Sequence, residues 1–151
     1  MLIKNLQQLF TRDLNKLKDE ISLYSIEANL WKTDKGISNS AGNLCQHLIG
    51  NLNTFIGAVI GETGYIRNRP EEFSAKNILR EDLIRNIEAT ISMVQQSLEK
   101  LREDALDKEY PMKVFEMPLT YQQFLLHLSG HLMYHLGQIN YHRRLLDITS
   151  L

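Results

Sequence analysis

The feature of this sequence that most constrains its fold is a doubled seven-residue spacing of apolar residues near its start. One series is Ile3, Phe10, Leu17 and Tyr24, and the other is Leu14, Ile21 and Ala28. Residues seven apart lie on one face of an α-helix, so the two series form a broad apolar stripe. The pattern predicts a long amphipathic helix over residues 2–28, which must bury this stripe against other helices.

Two more amphipathic segments follow this helix. Ser40 can act as the N-cap of a second helix that extends to about Ile60. A third helix ends at about Leu101 and again has two apolar series with seven-residue spacing, but no cap marks its start. Both segments are therefore predicted to pack an apolar face against a common core.

The fourth helix has the clearest start of all. Thr120, followed three residues later by Gln123, forms a capping-box pattern, and the apolar periodicity continues to about Ile148. Three segments rich in polar residues, glycine or proline separate the four helices and are predicted to be loops: 29–39, 61–78 and 103–119.

Four amphipathic segments without strand-like alternation predict an all-α protein, a four-helix bundle. At 151 residues, the whole chain, 1–151, fits a single domain. Two of the loops are longer than a bundle turn requires, so the connectivity need not be a simple up-and-down one.

Composition excludes several classes of function. The net charge is −1 with acidic and basic residues interspersed, so no basic face for nucleic acid is expected. The single cysteine, Cys45, cannot form an internal disulfide and is predicted to be a packing residue. No apolar run approaches the length of a membrane span, and the first ten residues lack a secretory pattern. These features predict a cytoplasmic protein.

Four of the five histidines lie within residues 127–142, among leucines rather than charged residues. The predicted inward stripe of the fourth helix is Phe124, Leu128, His131, His135, Gln138 or Ile139, His142 and Leu146. Burying an imidazole without a hydrogen-bond or metal partner costs a few kcal/mol. A cluster of buried histidines therefore needs partners for its nitrogens. Histidines four residues apart can offer two nitrogens to one metal ion.

A third ligand has to come from another helix. His127 and His135 are about 12 Å apart along the helix axis, too far to share one ion. The fifth histidine, His47, falls on the inward face of the second helix. The spacing therefore predicts a three-histidine metal site that contains His47 and either His127 with His131 or His131 with His135.

A family resemblance bears on this choice. The stretch "HLMYHLGQI", residues 131–139, resembles the H-x3-H-x-G-Q pattern late in the last helix of the DinB/YfiT-like superfamily. His47, in "SNSAGNLCQHLIGNL", matches the isolated ligand that this superfamily places on its second helix. Trp31 in the first loop is a further similarity, and the resemblance extends over the whole chain in helix order.

The resemblance implies a bundle that is a mirror variant of up-and-down topology, with the metal ligands His47, His131 and His135. It also implies a divalent ion, for which imidazole nitrogen suits Zn, Ni or Fe. Characterised relatives transfer a low-molecular-weight thiol such as bacillithiol or mycothiol to an electrophilic small molecule, or use the thiol in isomerisation. A homodimer is expected from the resemblance and from the doubled apolar stripes of the first and third helices.

Three imidazoles leave an open coordination position, which is typical of catalytic rather than structural zinc. The leading hypothesis is therefore a metal-dependent thiol S-transferase or hydrolase, although no residue stands out as a general base. A second hypothesis is a non-catalytic metal-binding or regulatory bundle that acts through protein contacts. A third has no metal, with each histidine satisfied by hydrogen bonds.

The remaining polar and aromatic residues of this region have structural interpretations. His127 is expected at the edge of the core, and His142 near the helix end, where a cation favours the helix dipole. Gly137 is expected where another helix approaches closely, with Gln138 bonding across that contact or supporting the metal site. Trp31 is expected to cover one end of the bundle. Loops 61–78 and 103–119 are expected to rim the metal pocket.

Overall fold

The computed structural model describes residues 1–34 and 36–148, and these form a helical bundle. It has four long helices and one short one: α1 (Leu2–Ser22), α2 (Ala41–Leu52), α3 (Arg69–Ser74), α4 (Arg80–Glu99) and α5 (Tyr121–Leu146). A π-helical stretch, Asn53–Ala58, continues α2, and short 3-10 helices lie at Glu27–Trp31 and Glu103–Ala105. Within the described residues no β-strand forms. The all-α prediction is confirmed.

The long helices pack around one contiguous apolar core in the order α1, α4, α2, α5. Each packs mainly on two neighbours, so α1 and α2, consecutive in the chain, lie diagonally opposite each other. This is not the arrangement of a simple up-and-down bundle, in which consecutive helices are neighbours. Fully buried residues of α1 face this core at seven- and four-residue spacing: Leu6, Phe10, Leu14, Leu17 and Ile21.

The prediction that the first helix reaches residue 28 is wrong, because α1 ends at Ser22 and Ala28 is exposed. The carboxylate of Asp147 accepts hydrogen bonds from the backbone N–H of Ser25 at 2.5 Å and of Ile26 at 3.1 Å. These two backbone N–H groups therefore have hydrogen-bond partners without being part of a helix, so the chain can change direction after Ser22. A contact from the far end of the sequence thus ends α1.

The second helix begins as predicted. The Ser40 hydroxyl accepts a hydrogen bond from the Asn43 N–H at 3.2 Å, which makes Ser40 the N-cap. The following segment, 61–78, is less irregular than predicted, since it contains α3. Asn68 caps this short helix, and Pro70 stands in its first turn, where a missing N–H costs nothing.

The start of α5 is also as predicted, with a complete capping box between Thr120 and Gln123. Its buried face includes much of the predicted stripe, since Phe124, Leu128, Ile139 and His142 are buried. It is broader than predicted, because Leu125 and Leu132 are also buried, and Gln138 is exposed. His131 and His135 are half-buried at the edge of this face and are not in its centre. Leucines occur on several sides of α5, so periodicity alone did not fix the extent of the buried face.

Two smaller expectations concern glycine and tryptophan. No atom lies within 4 Å of a Cβ built at Gly137, so the predicted close helix approach there is wrong. Trp31 packs on the first turn of α2, where a Cβ at Gly42 would lie 2.6 Å from the indole ring.

Within the described part of the chain, no helix combines the length and hydropathy that crossing a bilayer requires.

Candidate metal centre

Three histidines from two helices converge beside the core. His47 projects from α2, and His131 and His135 project from successive turns of α5. The Nε2 atom of His131 lies 3.2 Å from Nε2 of His47 and 3.2 Å from Nε2 of His135. Among the described residues this is the group of side chains that could hold a metal ion, with its ligand atoms within 4.8 Å of one another.

His127 is not part of this group. Its exposed ring stacks on His131 with the ring centroids 6.1 Å apart, one turn before the convergence point. Of the two pairs that the spacing left open, the structure therefore brings His131 and His135 together with His47.

The convergent nitrogens fit a divalent cation. A metal bound to imidazole at about 2.0–2.1 Å with tetrahedral angles places its nitrogens about 3.3 Å apart, close to the two observed separations. Three lone pairs directed at one point repel one another unless a proton or a cation lies between them. The donor set suits Zn, Ni or Fe.

The electrostatic environment keeps the imidazoles of His47 and His131 neutral, which is the form that binds metals. Burial, followed by the neighbouring His135 and His47, lowers the pKa of His131 to about 4. Burial also lowers the pKa of His47, although the nearby Glu72 carboxylate acts in the opposite direction. At neutral pH both rings therefore keep a free lone pair.

Glu72, a residue that the sequence did not single out, orients His47. Its buried carboxylate places Oε1 3.1 Å from Nδ1 of His47. Arg67 binds the same carboxylate through Nε and Nη2, both at 2.8 Å. Arg67 Nη2 is also 3.3 Å from Nδ1 of His47. A guanidinium has no acceptor atom, so of these two neighbours only the Glu72 carboxylate can accept the hydrogen on Nδ1. With Nδ1–H donating to Glu72, Nε2 of His47 carries the lone pair that faces the cluster.

Two residues of α2 allow Glu72 to lie this close to His47: Gly50 leaves space for its carboxylate, and Asn43 holds its backbone. A Cβ placed at Gly50, three residues after His47, would overlap the Glu72 carboxylate. The Asn43 side chain donates to the backbone carbonyls of Glu72 at 3.0 Å and Ala75 at 2.7 Å, which ties α3 to α2. In the sequence, the one indication of this close approach was a glycine within the buried part of α2.

The other two histidines differ in their outer contacts. Nδ1 of His135 is 2.7 Å from Oε1 of Gln138, so Gln138 supports the site, the second of its two expected roles. Nδ1 of His131 is buried and has no partner among the described residues. Asn51, one turn after His47 on α2, has a buried Oδ1 that is equally unpaired. His131 is therefore held by ring packing against His47, His127 and His135.

One of the two predicted loops, 61–78, lies at the site, whereas 103–119 contacts His127, one turn before the cluster. The Phe73 ring, in segment 61–78, is 4.9 Å from the ring of His47. The Phe115 ring, in segment 103–119, is 4.9 Å from the ring of His127.

A third segment, 36–39, was not expected at the site, yet it lines a cavity of about 370 Å³ together with His135. A larger cavity of about 510 Å³ between α1 and α5 contains none of the three histidines and lies apart from the cluster.

His142 and Cys45 are structural, as expected. His142 is buried, its Nε2–H donates to the carbonyl of Lys32 at 2.8 Å, and its Nδ1 accepts from the Tyr24 hydroxyl at 2.6 Å. Burial lowers the pKa of His142, so it is not the cation at the helix end that we expected. Cys45 is fully buried, and burial raises the pKa of its thiol to about 12.

The fold and the histidine cluster together define a helical bundle with a candidate metal site. The chain belongs to the family described as "Protein of unknown function (DUF1572)", which matches residues 2–150. A similar solved structure is the "conserved protein of locus from Enterococcus faecalis", with a TM-score of 0.72 at 19% identity over 95% of each chain. At this identity the likeness concerns the fold alone. No curated protein matches the sequence.

Proposed function

We propose that this chain is a metal-dependent enzyme of the DinB/YfiT-like type, in which His47, His131 and His135 bind one divalent ion. Its proposed reaction is the transfer of a low-molecular-weight thiol to an electrophilic small molecule, or a hydrolysis. The observation that carries the proposal is the convergence of three Nε2 atoms, with His131 at 3.2 Å from both other histidines. The sequence resemblance adds the reaction class.

The residues of the chain have distinct tasks in this proposal. Glu72 and Arg67 hold His47 with its lone pair toward the ion, and Gln138 does the same for His135. Three protein ligands leave coordination positions open for exchangeable molecules. A divalent ion there supplies Lewis-acid chemistry, which activates a thiol or a water and polarises an electrophile.

The nucleophile of a thiol transfer has to come from outside the chain. The only cysteine, Cys45, is fully buried, and the pKa of its thiol is raised to about 12. A thiol in that state is neither accessible nor ionised, so it cannot attack a substrate. This supports a soluble thiol cosubstrate.

Metal analysis of protein purified without a histidine tag tests the ligand set. The variants His47→Ala, His131→Ala and His135→Ala are expected to lose most of the bound metal. The matched variant His127→Ala removes a neighbouring histidine on the same face of α5 and should retain metal, as should the variant at the buried His142 where it folds. A metal-replete His135→Ala protein beside a metal-free His127→Ala protein would overturn the assignment.

Turnover tests the reaction class separately. Metal-loaded protein is expected to accelerate the reaction of a small thiol with a chromogenic aryl halide, and the His131→Ala variant should not. Metal binding without turnover of any thiol or ester tested would favour the non-catalytic, regulatory alternative.

A further inference from the structure

A cavity of about 370 Å³ opens between residues 36–39, the start of α2 and the second half of α5. Of the three histidines in the cluster, His135 is the one that lines this cavity. The cavity size lies within the range of small-molecule sites in proteins. Its position beside one candidate ligand distinguishes it from the larger cavity between α1 and α5, which touches none of them.

The walls of this cavity are largely apolar and aromatic. Ile37, Leu44 and Leu145 contribute aliphatic surface, and Tyr134 and Tyr141 contribute rings. Tyr134, Tyr141 and Leu145 are more than half exposed, which is unusual for a run of large side chains on one helix of a soluble bundle. Such walls favour a planar or ring-containing molecule that covers them.

Polar groups are present as well, and several of them are unused. The side chains of Ser38 and Asn39 have no hydrogen-bond partner among the described residues, and both line the cavity. Gln138 uses its Oε1 atom for His135, which leaves its NH₂ group free. His142 offers nothing, because both of its nitrogens are bound within the protein. The cavity can thus donate and accept hydrogen bonds.

Charged side chains are absent from the part of the lining that the structure describes. None of the described residues that line this cavity is an aspartate, glutamate, lysine or arginine. The nearest basic group on α5, Arg144, packs over the ring of Tyr141 and is not a lining residue. In the metal-free protein, a charged ligand would lose its hydration here without gaining an opposite charge from the described lining residues.

We infer that this cavity binds an uncharged, ring-containing molecule with hydroxyl or carbonyl groups, and presents it as substrate beside His135. The role as substrate rests on the proposed metal function, whereas the binding itself does not. Three probes that share one ring system separate these chemistries: 2-naphthol, 2-naphthalenesulfonate and 2-naphthylmethylammonium.

Binding of the three probes is measured by titration calorimetry and ligand-observed NMR at pH 7, on metal-free protein. The neutral 2-naphthol is expected to bind at least tenfold more tightly than either charged probe. Equal or tighter binding of the anion or the cation overturns the inference, and so does a lack of 2-naphthol binding in the millimolar range.

Two isoleucine-to-tryptophan variants locate the site. Ile37→Trp fills the cavity from an exposed segment and should weaken 2-naphthol binding at least tenfold. Ile66→Trp makes the same change at a residue that is 90% exposed and lines a different cavity, next to Glu72; it should change the affinity less than twofold. The opposite order would assign the ligand to that other cavity and overturn the inference.

Cobalt-loaded protein tests the link to the metal. Protons of bound 2-naphthol are expected to relax faster with Co²⁺ in the site than with Zn²⁺, and the difference should vanish in Ile37→Trp. Equal relaxation with both ions overturns the role as substrate. If the protein binds no metal, the proposed function fails, while the titration of metal-free protein still decides whether the cavity binds neutral rings.

Discussion

Oε1 of Glu72 lies 3.1 Å from Nδ1 of His47, although the two residues are 25 positions apart on different helices. Glu72 is buried and its charge is balanced by the two hydrogen bonds from Arg67. A carboxylate that accepts the Nδ1–H of a metal-binding histidine fixes the ring orientation and raises the basicity of Nε2. The short helix α3 therefore acts on the candidate metal site through the Glu72 carboxylate, beside the ring contact that Phe73 makes with His47.

The change Glu72→Gln tests this relationship. It keeps an oxygen that can accept a hydrogen bond but removes the charge, so Zn²⁺ affinity should fall by about tenfold, the lower end of what such outer contacts contribute. Affinity is measured by competition with a chromogenic chelator. The control is Glu71→Gln, the same change at the adjacent exposed residue, which should leave affinity unchanged.

Nitrogen-15 NMR of the metal-free protein adds an independent measurement for the same variant. His47 of the parent protein is expected to show the tautomer with hydrogen on Nδ1, and Glu72→Gln should shift the population toward hydrogen on Nε2. Unchanged tautomer and unchanged metal affinity would together refute the role assigned to Glu72.

The change Gly50→Ala should act through the same carboxylate. A Cβ at this position overlaps the Glu72 side chain, so Glu72 must leave His47 and metal affinity should fall as in Glu72→Gln. Overpacking of this kind also costs roughly 1–3 kcal/mol of stability. In the double variant the two effects on affinity should not add, because both remove one interaction.

Gly137→Ala is the matched control for that experiment. Gly137 also lies within a helix, but nothing is within 4 Å of a Cβ built there. Alanine should therefore raise the free energy of unfolding by up to about 1 kcal/mol and leave metal affinity unchanged. Full metal affinity in Gly50→Ala would show that Glu72 can move aside without consequence.

The buried His142 predicts how stability depends on pH. Burial lowers its pKa in the folded protein below the ordinary value of 6.5, so the unfolded chain binds the proton more readily. Its contribution to stability is complete above about pH 6.5 and is lost as the pH falls through that value toward the folded-state pKa. Urea unfolding of the metal-free protein at pH 7.5 and pH 5 measures this loss.

The variant His142→Gln can keep both hydrogen bonds but cannot titrate. Its stability should fall less between pH 7.5 and pH 5 than that of the parent protein. Any contribution from His47 and His131 is common to both proteins. An identical decrease in His142→Gln would exclude His142 as a source of the pH dependence.

The homodimer remains a prediction, but one of the two arguments for it no longer applies. The doubled stripes of α1 and α4 are largely buried within one chain, since α1 and α4 pack on each other and on the core. They no longer argue for a partner, and the expectation rests on the family resemblance. Sedimentation equilibrium at micromolar concentration should give twice the mass of one chain, and a monodisperse monomer would contradict it.

The sequence alone determined the features that depend on neighbouring residues. The N-caps at Ser40 and Thr120 are local hydrogen bonds, so side-chain type and spacing were sufficient to place them. That two histidines four residues apart can share one ion follows from helix geometry. Geometry left His127 with His131 equally possible, and the family resemblance implied His131 with His135. That His47 would join them followed from there being one histidine outside the last helix, on an apolar face, and from the resemblance.

Only the tertiary structure decided the features that join distant parts of the chain. The end of α1 depends on Asp147, which is 122 residues from Ser25. The orientation of His47 depends on Glu72, and the cavity beside His135 on residues 36–39, which local sequence described only as loops. The placement of His131 and His135 at the edge of the buried face of α5 depends on which neighbours cover its several leucines. Caps and helix periodicity are local interactions, whereas these contacts form only when separate helices pack together.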